Sequence, residues 1–467
     1  MISQIRKAGS YVVIGLAIVL VGLVMVMEDI RSIHFLVKGI LSVVVFLDQS
    51  GLLVISLYQI AIAIAGSLYV AKRRKKRKEL ETLARLSPDS KPRFLCLTAA
   101  HNEETVIAEH VRSLLSVEYP RELVNFVVIA DNCNDATAER ARAEGAVVWE
   151  RFNDKERSKG AALKWAIHEQ ADLSQYDAVC IFDADNLLQP NFLNVMALCV
   201  LEGHEAIQAY LDTKNPWDSW ISSAYASAYW YMNRFWQQAR VQLGLSGALG
   251  GTGFCLTTRA LRDLPWGAKS LTEDLEYTVQ LVIQGRKVHW TPQTRVYDEK
   301  PVKFSATVPQ RTRWLQGHWS TAFRYSKPLL RQVWSGRGAN RLRAFDVFVY
   351  LWQPLVILFT ALNLIFTGVQ LTMGNKWYYP LLSECLPYWF WIALVVVGLF
   401  LPLVAFALED ADWKVFWRFP SFLLFNLSWI PITIQGLLSH KDVTWTHTEH
   451  KRAISIHELL NSEALRK

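Results

Sequence analysis

Two stretches near the N-terminus, 11–27 (YVVIGLAIVLVGLVMVM) and 51–70 (GLLVISLYQIAIAIAGSLYV), contain no charged residue. A helix rises about 1.5 Å per residue, so roughly 20 residues cross the ~30 Å hydrocarbon core of a bilayer. Segment 11–27 is followed by no small-residue cleavage site and reads as an anchor. Seven consecutive cations, Lys72 to Lys78, follow the second run, and Arg6 and Lys7 precede the first. The positive-inside rule puts both sets on the cytoplasmic face, which two crossings satisfy. The short stretch 33–47, carrying Lys38, reads as an interfacial or re-entrant piece. Towards the C-terminus, 345–371 and 388–408 read as two further spans, separated by an aromatic loop (Trp377, Tyr378, Tyr379, Pro380) of the kind that prefers a membrane interface. A third stretch, 415–438, is interrupted by Arg418, Pro420 and Pro431, and reads as either a span or an interface helix.

Composition agrees with this division. Hydrophobic residues make up 51% of the 467 residues and charged residues 20%, with 19 Trp. That apolar surplus lies at the two ends, leaving 79–330 as the region able to fold in water between membrane regions at 1–78 and 331–467. The net charge of +8 comes partly from the Lys72–Lys78 block, which suits anionic lipid. No nucleic-acid-binding fold accompanies it, so nucleic acid is not an expected partner. The six Cys include no CxxC pair, and five of them lie between 96 and 255. This is the pattern of reduced thiols in a cytosolic compartment, with no zinc site implied.

Within 79–330, short β-branched runs alternate with helical stretches. The runs 94–99, 124–131, 146–152, 178–183 and 206–211 read as strands, and 103–116, 135–144, 160–171 and 190–202 as helices. That order predicts a doubly wound α/β sheet covered on both faces, in which ligands bind beyond the C-terminal strand ends. Three of those ends carry acids and amides: His101-Asn102-Glu103-Glu104, Asp131-Asn132-Cys133-Asn134-Asp135 and Asp183-Ala184-Asp185-Asn186. Capping accounts equally well for Asp135, ahead of a helix. It does not account for both Asp183 and Asp185, a pair suited to Mg2+ or Mn2+ sharing its sphere with substrate phosphates. Ser158-Lys159-Gly160 opens a helix as an anion site or as a solvated lysine. Leu249 to Phe254 (LGGTGF) is either a close backbone approach to a ligand or a turn. Ser270 and Glu273 have capping-box spacing, which places Asp274 in a first helical turn where the dipole favours its anion. It is a general-base candidate or, equally, one more capping acid. Gln310, Arg313 and Trp314 share one helical face, which suits a pyrophosphate and a stacked sugar ring, or an interface helix. The aromatic stretch 217–236 reads as an interface helix in preference to an acceptor wall.

Asp131, Asp183-Ala-Asp185, Thr272-Glu273-Asp274 and Gln310-x-x-Arg313-Trp314 together, in this order and spacing, resemble the family 2 inverting glycosyltransferases. The similarity is greatest to the membrane-embedded processive branch: cellulose, chitin, hyaluronan and poly-N-acetylglucosamine synthases. It covers roughly 90–330. The resemblance implies a GT-A fold, a UDP-sugar donor (UDP-N-acetylglucosamine or UDP-glucose favoured), Mg2+ or Mn2+, a growing β-linked polysaccharide as acceptor, and accessory export subunits. The setting it implies is a lipid bilayer, as in a bacterial inner membrane. It implies nucleoside contacts from Asn102, Glu103 and Asp131, a diphosphate or base contact from Lys159, and nucleotide and metal contacts from Asp183 and Asp185. Thr272, Glu273 and Asp274 become the catalytic segment, with Asp274 as base. Gln310, Arg313 and Trp314 hold the diphosphate and the acceptor end. Trp445-x-x-Thr448 resembles the loop that covers the nucleotide in these synthases. One departure is Ala99 where the family often has Pro. A non-processive transferase acting on a lipid-linked acceptor is the alternative, and a non-catalytic export subunit a weaker one, since every carboxylate of the motifs stands.

Overall fold

The computed structural model describes residues 31–67, 90–267, 269–374, 377–378, 382, 388–409, 411–442, 444, 448 and 450–464. The run 11–27, the Lys72–Lys78 block and Trp445 lie outside them. The first described element is one helix, α1 (Arg31–Ser67), in place of the two pieces read at 33–47 and 51–70. No proline interrupts its 37 residues, and isolated glycines weaken a helix without ending it. Its stretch Phe35–Ala65 is long and apolar enough to cross a membrane.

The central region runs β1 (Phe94–Ala100), α2 (Ile107–Leu115), β2 (Val124–Asp131), α3 (Thr137–Ala143), β3 (Val147–Arg151), α4 (Lys159–Trp165), β4 (Ala178–Asp183), β5 (Leu187–Leu188), α5 (Phe192–Leu201), β6 (Ala206–Thr213), α6 (Trp220–Met232), β7 (Phe254–Thr257), α7 (Thr258–Asp263), α8 (Glu273–Ile283) and β8 (Val288–Asp298). The five strands read from sequence are all present. The sheet is mixed, however, in the order β3-β2-β1-β4-β7-β6-β8-β5. β1 pairs in parallel with β2 and β4, while β7, only four residues long, enters antiparallel between β4 and β6. Alternation along the strands sends Phe94 and Cys96 to one face against Phe192 and Met196, and Leu95 and Leu97 to the other against Ala162 and Leu163. Covered on both faces, β1 and β4 are nearly continuous in apolar residues.

After the sheet come α9 (Phe304–Ser335), α10 (Ala339–Leu351), α11 (Pro354–Met373), α12 (Tyr388–Leu408), α13 (Lys414–Leu427), α14 (Trp429–Leu438) and α15 (Ile456–Ala464). The stretch read as one span at 345–371 is therefore broken, with Pro354 opening α11 at a position where its missing N–H costs nothing. α11 and Lys414–Leu438 are also long and apolar enough to cross a membrane. α13 is two-faced: Val415, Phe419, Phe422 and Phe425 are buried, whereas Trp417 and Leu424 are exposed. Its buried face meets α6, with the Phe425 and Tyr225 rings 5.0 Å apart. α6 and the residues after it are accordingly more inward-facing than an interface helix: Tyr225, Trp230 and Trp236 are buried, and Trp220 is exposed.

The chain divides into two compact units. One contains the sheet and comprises Ala61–Trp352, Leu401–Leu427 and Gln435 onward; the other comprises the described residues up to Ile60 with Gln353–Phe400 and Ser428–Ile434. In the second unit Val45 packs with Phe366 and Tyr378, and the Asn363 amide reaches Asp48 at 3.4 Å.

Candidate active site

Parallel pairing fixes which strand ends meet. Ala100 lies opposite Ala130 on one side and Ala99 opposite Asp183 on the other, so His101–Glu103, Asp131 and Asp183 emerge along one edge. Asn102 and Asn132 both adopt positive φ, 55° and 51°, a conformation asparagine tolerates better than most residues. These reversals let the Asn102 Oδ1 accept from the Asn134 N–H (2.9 Å) and the Asn132 Oδ1 from the Asn153 N–H (2.8 Å). Asp135 takes the capping role, accepting from the backbone of Thr137 and Glu104. Asp131 forms a buried pair with Arg151 at 2.6 Å. Burial pushes the Asp131 carboxyl up, and Arg151 opposes it. Sequence reasoning missed Arg151, which ends β3.

Lys159 is not a solvated lysine. Ser158 caps α4 by accepting from the Ala161 N–H, and the Lys159 ammonium reaches across to the Asp183 carboxylate and the Gly251 carbonyl. The glycine-rich loop thus approaches the acidic edge: Gly251 has φ +83°, and a Cβ there lies 3.5 Å from Asp274 Oδ2. Asp185 is buried, and its carboxylate accepts from the Glu299 N–H (2.5 Å) and the Asn186 amide (3.1 Å). Burial favours its neutral form, but the charges of His450 and Lys214 outweigh that and hold its pKa below the ordinary value. His450 also meets Glu103 at 2.9 Å. Burial works against its charge, yet Asp185 and Glu103 raise its pKa to about 9. The tail after α14 is therefore built into the acidic edge: Lys451 and Arg452 donate backbone N–H groups to Glu299, and Ile456 and Leu459 of α15 pack on Leu187 and Tyr297. Thr448 lies two residues before His450.

Among the described residues no three His, Cys, Asp or Glu side chains stand in metal-ligand geometry. A paired carboxylate site that borrows substrate phosphates needs only two. The edge does hold an unbonded carboxylate oxygen: Asp298 pairs with Lys300 through Oδ2 (2.6 Å) while its Oδ1 is buried without a hydrogen-bond partner, and burial, with Asp185 and Asp183 nearby, raises its carboxyl to about 6 despite Lys300. These residues fit a divalent cation shared with a ligand.

The capping box read at Ser270 and Glu273 does not form. The cap position of α8 is Thr272, without a side-chain bond, and Ser270 instead donates to the Thr272 carbonyl. Glu276 holds the loop by accepting from the N–H groups of Lys269 (2.8 Å) and Ser270 (2.7 Å). Asp274 does sit in the first turn of α8. Its pKa is nevertheless raised to about 7, first by burial and then by Glu273. The helix N-terminus is worth about 0.3–1 kcal/mol to an anion, against roughly 4 kcal/mol for a shift of this size at ~1.4 kcal/mol per pKa unit, so burial wins. Glu273 is likewise raised by burial, with Lys159 opposing. α9 closes this side. Gly317 presses on Thr272 so closely that a Cβ there meets the Thr272 backbone N at 2.7 Å. Arg313, four residues earlier, lies within the field of Glu273, Asp183 and Asp274, and burial lowers its pKa. Gln310 accepts from the Tyr225 hydroxyl (3.0 Å), whose ring meets Trp314 edge-on at 6.2 Å.

One edge thus holds an ionised Asp185, an Asp274 poised near neutrality, and cations between them. Opposed pKa values of this kind separate electrostatic from proton-transfer roles. Residues 92–317 match the family described as "Glycosyltransferase like family 2". Residues 92–317 therefore form a family 2 glycosyltransferase domain. Similar proteins include the beta-monoglucosyldiacylglycerol synthase of Trichormus variabilis (27% identical over 273 residues; 57% of this chain, 58% of that protein). The poly-beta-1,6-N-acetyl-D-glucosamine synthase of Staphylococcus epidermidis is 23% identical over 265 residues, covering 53% and 58%. The match to these relatives spans little more than half their length. A mannosyltransferase from Pyrobaculum calidifontis, solved with GDP-Man and Mn2+, superposes over 84% of this chain and 99% of its own with TM-score 0.50 at 15% identity. The glycosyltransferase sheet is accordingly the GT-A fold. Within it the structure brings together Glu103, Asp131, Lys159, Asp183, Asp185, Glu273, Asp274 and Arg313. Sequence reasoning missed Arg151, Glu276, Glu299 and Asp298. None stands in a recognisable motif: Arg151 and Glu299 are defined by distant partners, Asp131 for the first and Asp185 with Lys451 for the second, and Glu276 and Asp298 by loop contacts that only the fold makes.

Proposed function

We propose that this glycosyltransferase moves a sugar from a UDP-sugar, UDP-N-acetylglucosamine or UDP-glucose, onto the end of a β-linked polysaccharide at the cytoplasmic face of a membrane, with inversion at the anomeric carbon. The observation that carries the reading is Asp274: a half-buried carboxyl that desolvation and Glu273 raise to about 7, within the field of Lys159 and Arg313. That is the match a general base needs at neutral pH. Asp274 takes the acceptor hydroxyl proton as the hydroxyl oxygen attacks the anomeric carbon. The bond to the donor diphosphate breaks, and the electron pair leaves with the phosphate. Lys159 and Arg313 stabilise that departing charge. Asp183 and Asp185 hold Mg2+ or Mn2+, which when bound neutralises the diphosphate. Asn102, Glu103 and Asp131 face the nucleoside, and Gln310 with Trp314 and Tyr225 the acceptor. Thr448 belongs to a segment that covers the nucleotide. Three helices among the described residues, long and apolar enough to cross a membrane, support reading the chain as a multi-pass protein of a bacterial inner membrane, with export subunits as partners.

A second reading, transfer to a lipid acceptor, is favoured by the similarity to a glucosyldiacylglycerol synthase. One experiment tests both: UDP release by the protein in nanodiscs with Mn2+ or Mg2+ across a panel of UDP-sugars, with product size read from the same tubes. Release with one sugar and a long carbohydrate product supports the polymer reading; a single-sugar lipid product supports the second. No release with any sugar, with diacylglycerol and oligosaccharide primers present, overturns the donor assignment.

Trp314→Ala is expected to lower transfer to acceptor by about 10-fold or more, since ring stacking contributes ~1–3 kcal/mol to comparable contacts. Donor hydrolysis by the same variant should change little. Equal loss of both rates shows that Trp314 only packs against Tyr225.

A further inference from the structure

Asn186 closes the Asp183–Asn186 run and has no part in the chemistry above, yet it is fully buried. Every polar group it carries is engaged. Its amide nitrogen donates to Asp185 Oδ1 at 3.1 Å. Its Oδ1 accepts the Asp183 N–H at 3.1 Å and the Thr252 hydroxyl. Its own N–H donates to the Asp183 carbonyl at 3.2 Å, and its carbonyl lies 2.7 Å from His110 Nδ1. His110 is itself buried, and burial lowers its pKa to about 4, so it is neutral at physiological pH. With Nδ1 donating to the Asn186 carbonyl, Nε2 is left to accept from the Thr98 hydroxyl at 2.7 Å. A rigid relay from the core of β1 therefore braces Asn186 from behind.

A turn that merely needed closing is satisfied by the bonds to Asp183. The bonds to Asp185 and Thr252 go further. Thr252 also accepts the Asp183 N–H at 3.0 Å and is buried. The residue before it is Gly251, whose carbonyl holds Lys159 and whose backbone runs beside Asp274, so that a Cβ on Gly251 would lie 3.5 Å from Asp274 Oδ2. The path from one carboxylate to the other is thus Asp185, Asn186, Thr252, Gly251, Asp274, by two side-chain hydrogen bonds, one peptide link and the passage of the Gly251 backbone beside Asp274, where Lys159, held by the Gly251 carbonyl, also attracts the Asp274 charge.

We propose that Asn186 is a positioning residue that, through Thr252, sets the Asp183/Asp185 pair and the Asp274-bearing side of the site at one fixed spacing. This rests on the glycosyl-transfer reading above. Partners behind a metal or catalytic group typically contribute 10–100-fold to affinity or activity, and small misplacements of reacting groups are costly in rate.

The test uses the full-length protein in nanodiscs carrying Asn186→Ala, Thr252→Val, Thr252→Ser or the Asn186→Ala/Thr252→Val pair. UDP binding is followed by calorimetry at varied Mn2+, alongside kcat, KM and the thermal melt. Asn186→Ala is expected to raise the Mn2+ concentration for half-maximal UDP binding about 10-fold and to lower kcat by at least as much. Thr252→Val, nearly the same shape without the hydroxyl, should lower kcat about 10-fold while leaving UDP affinity at saturating Mn2+ within about twofold, and Thr252→Ser should restore kcat. The double variant should be no slower than Asn186→Ala, as members of one path are not additive. Additive losses, or an unchanged kcat in Thr252→Val, overturn the proposal, and the latter decides even where Asn186→Ala does not fold. Wild-type protein that binds no UDP at any Mn2+ concentration overturns the donor reading and this inference with it. Wild-type binding with unaltered variants overturns the positioning role alone.

Discussion

Asp274→Asn is expected to slow sugar transfer by about 10³-fold, within the 10²–10⁴ range that general-base removal costs, while UDP affinity stays within a few-fold. The substitution keeps the shape of the side chain and removes the only property the proposed mechanism uses, its capacity to accept a proton. Asp274 sits at the start of α8 behind Gly251, and burial together with Glu273 raises its carboxyl to about 7. A base must be ionised, so kcat/KM for the wild type rises with pH up to about 7 and then levels, because that ratio reports groups of the free enzyme. The Asn variant should lack this limb. Glu273→Gln supplies an internal check. It removes a negative neighbour, so the limb moves to lower pH, though only in part because burial is the larger cause. Turnover of Asp274→Asn within tenfold of wild type removes Asp274 from the base role, and a retained limb in that variant assigns the ionisation elsewhere.

The discrepancy over Asp274 shows where sequence reading runs out. Its place in a first turn was read from the Ser270–Glu273 spacing and the apolar period after it, and so was the favourable dipole; the turn is there, although the helix starts at Thr272 without that capping box. What reversed the sign was burial, with Glu273 beside it, in a setting fixed at long range, where Gly317 of α9 packs on Thr272, 45 positions away. The sheet shows the same division. β1, β2 and β4 were readable because each is an apolar run ending in acids or amides, and parallel pairing brings those ends together without further information. β7 has four residues and follows a glycine-rich loop, so nothing local announces that it inserts antiparallel between β4 and β6. Membrane segments divided by length: the run 33–70 held no breaker, and only folding shows that it continues as one helix as far as Ser67. The engagement of His450 with Glu103 spans 347 positions. A resemblance in the Trp445–Thr448 segment suggested that this tail returns to the site, but not which side chain makes the contact.

Asp185→Ala is the variant for which metal and tail make a joint prediction. Its carboxylate accepts from the Glu299 N–H and the Asn186 amide and carries the charge that faces His450 and Lys214. Truncation leaves those donors and cations buried without their anion, and breaking one side of a buried charged cluster costs about 3–5 kcal/mol. That cost need not unfold a domain whose core lies in the two sheet faces. It falls first on the cheapest structure the anion holds, which is the strap from His450 to Arg452, tied to the domain through Glu299. Two results are therefore expected together. Mn2+ should no longer strengthen UDP binding, a loss of about 100-fold or more at saturating metal, at the upper end of what metal-site changes cost, while the weak metal-independent binding through Asp131 and Lys159 persists. Limited proteolysis should cut the tail near His450 faster than in wild type. UDP binding that responds to Mn2+ as in wild type removes Asp185 from the cation site. Lost metal response with an unchanged tail means that Glu103 alone suffices to hold His450, and Glu103→Gln should then release it.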